Sequence, residues 1–443
     1  MKGEAMMKRK MTRRNFLKVA AAVSAAGVMS ACGGDGMPPA SSGNGNTGNT
    51  GNAGDTGNSG ETPDNGSGGD SGEEEEVIET KWKYRMNPDW RYEGTVEITG
   101  YNGTMEPNVV IPEKIGKYRV SQVGGFSGRD EILSMTVPGC VEVFSSRAVE
   151  ECKSLKKISF AEGIKTISAG AFNNCTSLEE ILIPDSVEFI GISAFYGCKR
   201  LKKISIPSKV NKIGSNTFAG TGILDIIVPA NVQEIEYCAF LGCEKLKTVQ
   251  IQGKPIFGTS VFSQCTSLES IELPDDTEKI NEGMFEECNS LKNFRFPSKL
   301  KYIGAGAFMR VGLSEAILPE GVVRIDMNAF YGSESIKSMK LPQTLTNIGG
   351  AAFEDTGITK IILPEGLTEI SDYLFSRSQQ LESIYIPQAV QSIGKYAFWY
   401  CPLSNVYYGG TEIQWKQLIK DHEELSTLTP HYNSSALLAT LSL

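Results

Sequence analysis

The chain has 443 residues, with 52 Asp and Glu against 43 Lys and Arg, a formal charge of −9 and only two histidines, His422 and His431. An acidic body argues against nucleic acid and against direct adsorption to an anionic membrane surface. So few histidines leave a Ser–His or Cys–His nucleophile without its usual base.

The first segment is basic. Thr12 to Lys18 reads TRRNFLK, and an alanine-rich apolar stretch from Val19 to Val28 follows, too short to span a bilayer. Arg13 and Arg14, with Phe16 and Leu17 behind them, resemble a twin-arginine export signal. Met29-Ser30-Ala31-Cys32 resembles a lipobox, which implies that Cys32 is lipidated and becomes the mature N-terminus after removal of residues 1–31. Those residues carry seven Lys or Arg and one Glu, so the remaining chain has a formal charge of −15. Residues 32–80 are rich in Gly, Asn, Ser and Thr and have almost nothing apolar to bury, which predicts a disordered tether. Its Gly33 to Glu76 part has a typical end-to-end distance of roughly 35–40 Å. Residues 81–110 hold Trp82, Tyr84, Trp90, Tyr92, Val96 and Ile98 off the later register, and an N-terminal cap of irregular strands is expected there.

From 111 to 408 the chain is periodic. Phe172, Phe195, Phe218, Phe240, Phe262, Phe285, Phe308, Phe330, Phe353, Phe375 and Phe398 recur at gaps of 22 or 23 residues, and Phe126 and Val149 extend the column. A fixed period of this size is the signature of a solenoid, in which each unit buries its apolar face only by stacking on its neighbours. The unit is A-F-x-x-C-x-x-L-x-x-I-x-I-P-x-x-V-x-x-I-G, as in Ala171 to Gly191. The I-x-I part has period 2 and predicts a short strand with Ile181 and Ile183 inward. Proline then ends strand pairing at the same point of each coil, and V-x-x-I-G predicts a second extended segment.

This unit resembles a leucine-rich repeat of the bacterial BspA-like class, over roughly Tyr92 to Tyr408. The resemblance implies a β-rich solenoid of about 13 repeats of 22–23 residues, curved, with a parallel sheet on the concave face and capped at both ends. It also implies exposure on the cell surface and adhesion to host proteins or to other cells.

Three residues after each Phe stands a column that is mostly cysteine: Cys152, Cys175, Cys198, Cys243, Cys265, Cys288 and Cys401, with Thr221, Val311, Ser333, Thr356 and Ser378 in the other coils. Disulfides along the column are disfavoured, because stacked equivalents lie about 4.7–4.9 Å apart with parallel side chains, whereas a disulfide needs converging Cβ atoms. No histidine joins the column and no C-x-x-C occurs, so metal binding is not expected. A ladder of small buried thiols fits best.

Residues 409–443 are expected to hold a helical cap and tail, with Thr411 as N-cap, Gln414 completing a capping box, and Trp415, Leu418 and Ile419 on one face. No phosphate-cradling glycine loop and no H-E-x-x-H is present, and no catalytic residue, cofactor or metal is expected. The middle residue of each I-x-I strand should face outward on the concave side. In the last five coils these are Ile317, Lys340, Ile362, Tyr385 and Tyr407, a candidate strip for contact with an extracellular protein or glycan. The leading expectation is therefore a surface lipoprotein, anchored to the cell envelope through Cys32, that binds such a ligand in an adhesin-like manner without chemistry of its own. A spacer or self-associating envelope scaffold is the alternative, and a glycan-directed enzyme the third reading.

Overall fold

Parallel pairing of equivalent residues, one period apart, organises the protein. A computed structural model describes residues 81–422 and 425–434. The signal segment, with Arg13, Arg14, Phe16 and Leu17, and the region 32–80 that begins at Cys32 lie outside the described residues.

Two strands per coil form two parallel sheets. In the first, the I-x-I strands stack in exact repeat register, with Met135 opposite Ile158 and Ile158 opposite Ile181. Their inward residues are buried, Ile158 at 1% and Ile181 at 4% exposure. In the second, the V-x-x-I segments pair as two-residue strands, such as Thr166–Ile167 with Phe189–Ile190. The third edge of the coil is a run of turns around A-F-x-x-C, also tied between coils: the Phe172 amide donates to the Ala194 carbonyl at 2.8 Å and that of Phe195 to Thr217 at 2.9 Å. These coils build a parallel-sheet solenoid of about 14 turns.

The turn beyond the thirteen legible in the periodicity lies at the N-terminal end. Asn108–Val110 pairs in parallel with the strand at Ser134, Val109 opposite Met135. It is therefore the first rung of the I-x-I sheet, although 81–110 reads in sequence as non-repeat. A hairpin of Lys114–Ile115 with Tyr118–Val123 lengthens this coil, and so hides it from a 22–23-residue period. Before it, Trp82–Met86 runs antiparallel to Thr95–Tyr101, which pairs in parallel with Tyr118–Val123.

Phenylalanine rings form a continuous stack through the core. From Phe172 to Phe398 successive centroids lie 5.2 to 5.9 Å apart, and Phe172 and Phe195 are within 3° of parallel. Where Val149 replaces the ring, Phe144 from the second sheet stacks on Phe172 at 5.2 Å and Phe160 meets both edge-on. The missing volume is thus filled by rings from the strands on either side of Val149, as close packing requires.

Both sheets are interrupted. The first loses its ladder after Lys203, where one bridge to Glu180 remains, and again near Phe294; it also breaks between Ser338–Lys340 and Lys360–Ile362. The second breaks between Ile190 and Lys212, Phe257 and Lys279, and Ile348 and Glu369. At the second interruption of the I-x-I sheet the inward isoleucines are replaced by Phe294 and Phe296, which crowd Phe285 and Phe308 at 5.2 to 5.4 Å.

Two positions in most coils are left-handed, two residues before and two residues after the column Phe. Glycine takes them in some coils (Gly170, Gly283, Gly197, Gly242), and non-glycine residues in others, including Ser193, Glu287, Tyr373, Tyr396 and Tyr400. At the C-terminal end Glu412–Leu418 is helical. Thr411 is its N-cap and Gln414 completes the capping box, as expected. Trp415 is buried against Tyr408 at 5.4 Å, and Leu418 and Ile419 are half-buried on the core.

Candidate functional site

The outward row of the I-x-I sheet is positioned by strand alternation, which sends each middle residue away from the core. Ile317 is 57% exposed and stands in register with Lys340, also exposed. Earlier coils add Leu182 at 82% and Ile227 at 50%. Ile362 is half-buried and pairs with Tyr385, which pairs in turn with Tyr407.

The structure corrects the expected strip at Tyr385. Its side chain is 1% exposed, and its hydroxyl donates to Glu365 Oε1 at 2.7 Å. Burial, with the adjacent carboxylate, raises the phenol above its ordinary pKa and holds it protonated. Gly409 makes room for it: a Cβ there would lie 2.9 Å from the Tyr385 hydroxyl. Strand alternation correctly places the Tyr385 backbone, but the loop after the next strand covers the ring. The signal is in the sequence, since V-Y-Y-G-G replaces I-x-I-P only at that coil. Tyr407 is half-buried and stacks on His431 at 4.9 Å and 21°. The chain near His431 returns beside Tyr407, with the His431 amide bonded to the Val406 carbonyl and the Tyr408 amide to that of His431. Ile317 and Lys340 are thus the open members of the strip.

The cysteine column has a specific role. Each thiol donates to the carbonyl of the column residue one coil earlier: Cys152 to Phe126 at 3.0 Å, Cys198 to Phe172 at 3.1 Å, Cys265 to Phe240 at 3.2 Å. Ser333 and Ser378 make the same bond to Phe308 and Phe353, at 2.8 and 2.9 Å, so a small donor serves this position in most coils, while Val311 fills it with none. The nine described cysteines are all free thiols. Burial pushes the Cys152, Cys198 and Cys401 thiols up to about 12, which keeps them protonated and unreactive at neutral pH. Native protein is therefore expected to take up an alkylating reagent first at the two half-buried thiols, Cys140 and Cys401, with the fully buried Cys152, Cys175, Cys198, Cys243, Cys265 and Cys288 following only in denaturant. Mass spectrometry of labelled peptides reads this directly, and disulfides between neighbouring column cysteines would refute it.

A second exposed group becomes visible in the structure, the rings of Tyr373, Tyr396, Trp399 and Tyr400 on the turn edge. Its sequence signal is Y-L-F and Y-A-F-W-Y where several earlier coils carry a glycine or small residue before A-F. Among the described residues no cluster of three or more His, Cys, Asp or Glu side chains is arranged to hold a metal ion. No described helix is long and apolar enough to cross a membrane.

A family model for the BspA type leucine rich repeat region matches residues 122–247, 223–325 and 301–417. A model for the twin-arginine translocation pathway signal sequence matches residues 10–30. Among solved structures, a leucine-rich repeat protein from Bacteroides ovatus is 25% identical with a TM-score of 0.55, over 81% of this chain and 99% of that one. A leucine rich cell surface protein from Faecalibacterium prausnitzii is 26% identical with a TM-score of 0.54, over 77% and 96%. The pneumococcal vaccine antigen PcpA shares the fold at 19% identity and a TM-score of 0.52, over 80% and 96%. Comparison with curated proteins gives no match.

Proposed function

This chain belongs to the family of BspA type leucine rich repeat proteins, and from that premise we propose that it is an exported surface protein, anchored by lipid on Cys32, that binds an extracellular protein or glycan. Binding uses the outward row of the I-x-I sheet and involves no chemistry by the solenoid itself. The observation that carries the reading is the exposed pair Ile317 and Lys340 on adjacent strands, an aliphatic and a cation on a rigid ladder. Exposed aliphatic side chains on a fixed sheet offer contact area at little entropic cost. Similarity to the Faecalibacterium prausnitzii cell surface protein supports the placement, as does the twin-arginine signal.

The test uses the mature chain on an array of immobilised extracellular-matrix proteins and surface glycans. Ile317→Asp with Lys340→Glu is expected to weaken capture by the best ligand by about 2 kcal/mol, roughly thirtyfold, with thermal unfolding unchanged. Capture that survives the pair removes the sheet face from the reading. Self-association without a foreign ligand would favour the scaffold role instead.

A further inference from the structure

The turns that lead from the cysteine column into the I-x-I strands carry an unbalanced charge in three successive coils. Residues 153–157 read KSLKK, 176–180 read TSLEE and 199–203 read KRLKK, seven cations against Glu179 and Glu180 within a body of −15. All these charged side chains are exposed, while Leu155, Leu178 and Leu201 between them are fully buried. The turns stack in the register of the strands they enter: Lys157 stands opposite Glu180, and Glu180 opposite Lys203. Lys157 and Lys203 therefore lie two rungs apart, about 9–10 Å along the solenoid. Asp130, which accepts from the Lys153 amide at 2.8 Å, and Asp225 bound the group on either side.

Most of these cations have no partner. Arg200 reaches Glu179 at 3.6 Å, but Lys153, Lys156, Lys157, Lys199, Lys202 and Lys203 make no side-chain ion pair or hydrogen bond among the described residues. By contrast Lys254 is neutralised from the next coil by Asp276 at 2.7 Å, and Lys301 from the preceding one by Glu278 at 2.8 Å. The hydroxyls between the lysines are unengaged as well. Those of Ser154, Thr176 and Ser177 have no partner among the described residues, although at equivalent positions Thr266 donates to the Glu244 carbonyl at 3.4 Å and Ser290 to that of Thr266 at 2.7 Å.

Charge and spread together define the ligand. Like charges held on a rigid ladder repel one another, and a bound polyanion relieves this. A single small anion is held by donors that converge on one point. These lysines instead stand in two rows, one coil to either side of Glu179 and Glu180, and anionic groups repeated along a chain match that spacing. The interleaved hydroxyls suit a partner rich in hydroxyls. The three turns also offer no exposed aromatic or aliphatic anchor of the kind that dominates protein interfaces. Outside the cell, a hydroxyl-rich polyanion is an acidic polysaccharide.

We propose that Lys153, Lys156, Lys157, Lys199, Lys202 and Lys203 form a binding site for an acidic polysaccharide, its sulfate or carboxylate groups meeting the two lysine rows. The site rests on export of the chain and not on the Ile317 and Lys340 contact, which lies in other coils, so either can fail alone.

The mature chain is applied to immobilised heparin and chondroitin sulfate as sulfated probes, and to alginate and polygalacturonate as carboxylated ones. Dextran is the neutral control and duplex DNA a polyanion of another kind. Capture by the sulfated or the carboxylated set, and not by dextran, is expected, and it should weaken about tenfold or more between roughly 0.05 and 0.5 M salt. Combining Lys156→Gln, Lys157→Gln, Lys202→Gln and Lys203→Gln should weaken it about a hundredfold, whereas arginine at the same four positions should retain it. Melting temperature should not change in either variant, because none of the four has a partner to lose. Glutamine at four exposed lysines elsewhere, Lys83, Lys114, Lys117 and Lys420, gives the same net charge and should leave capture within about threefold. Ile317→Asp with Lys340→Glu should leave it intact, which separates failure here from failure of the sheet face. Capture by none of the acidic polysaccharides overturns the proposal, as does undiminished capture by the glutamine variant of the site. An equal loss in the variant made elsewhere, or duplex DNA bound as tightly as the polysaccharides, also overturns it.

Discussion

Phe262→Ala is expected to destabilise the solenoid by about 4 kcal/mol, a large part of the roughly 5–15 kcal/mol typical of a folded domain. Phe262 is fully buried and stacks on two rings, Phe240 at 5.4 Å and Phe285 at 5.9 Å. Removing it leaves a cavity and breaks two aromatic contacts, each worth about 0.5–1.5 kcal/mol beyond area burial. Phe398→Ala is the internal control: this ring is 4% exposed and stacks only on Phe375 among the column rings, so its loss should cost less. Chemical denaturation of the two variants compares them. Equal costs would mean that the ring column does not carry the inter-coil coupling.

Changing Arg13 and Arg14 to lysine is expected to leave uncleaved precursor in the cytoplasm, because the residues matched by the twin-arginine model include both. Normal amounts of the doubly substituted protein outside the cell would assign export to the general secretory route. In the same fractionation, Cys32→Ala should shift the exported protein from the membrane to the soluble fraction, and its retention there would place the anchor elsewhere. The route also fits the thiols. A chain carried across the membrane already folded has its column cysteines buried and donating to carbonyls before it meets an oxidising space, and so never exposes them to mispairing.

Most of the architecture is legible in the sequence because a solenoid repeats its physics. Phe, Cys, Leu and Ile recur where each coil needs a ring, a small donor, an anchor and an inward strand residue, and the structure finds each in that place. The exceptions are local. Asn108–Val110 escapes because a hairpin stretches its coil out of period. Tyr385 misleads because period-2 alternation specifies which way a side chain starts, while its cover comes from Gly409, a coil away. The thiol–carbonyl bonds need three-dimensional register between Cys and the Phe of the preceding coil, which spacing alone does not supply. The Tyr396 row is written plainly as Y-A-F-W-Y, but its exposure and left-handed backbone become evident only when the turn is built.

The staggered sheets have a structural consequence. Across each interruption of the second sheet the ring edge continues: the Phe195 amide still reaches Thr217 at 2.9 Å, Phe262 reaches Met284 at 3.1 Å and Phe353 reaches Leu374 at 3.0 Å. The rings there remain 5.6 to 5.9 Å apart. Hydrogen bonding between coils is therefore unequal around the coil, unbroken along the turn edge at these places and interrupted at intervals along the two sheets. The Ile317 and Lys340 strands lie on one side of such an interruption and the Ile362, Tyr385 and Tyr407 strands on the other. A long partner laid along this face would meet two separate ladders and not one continuous sheet.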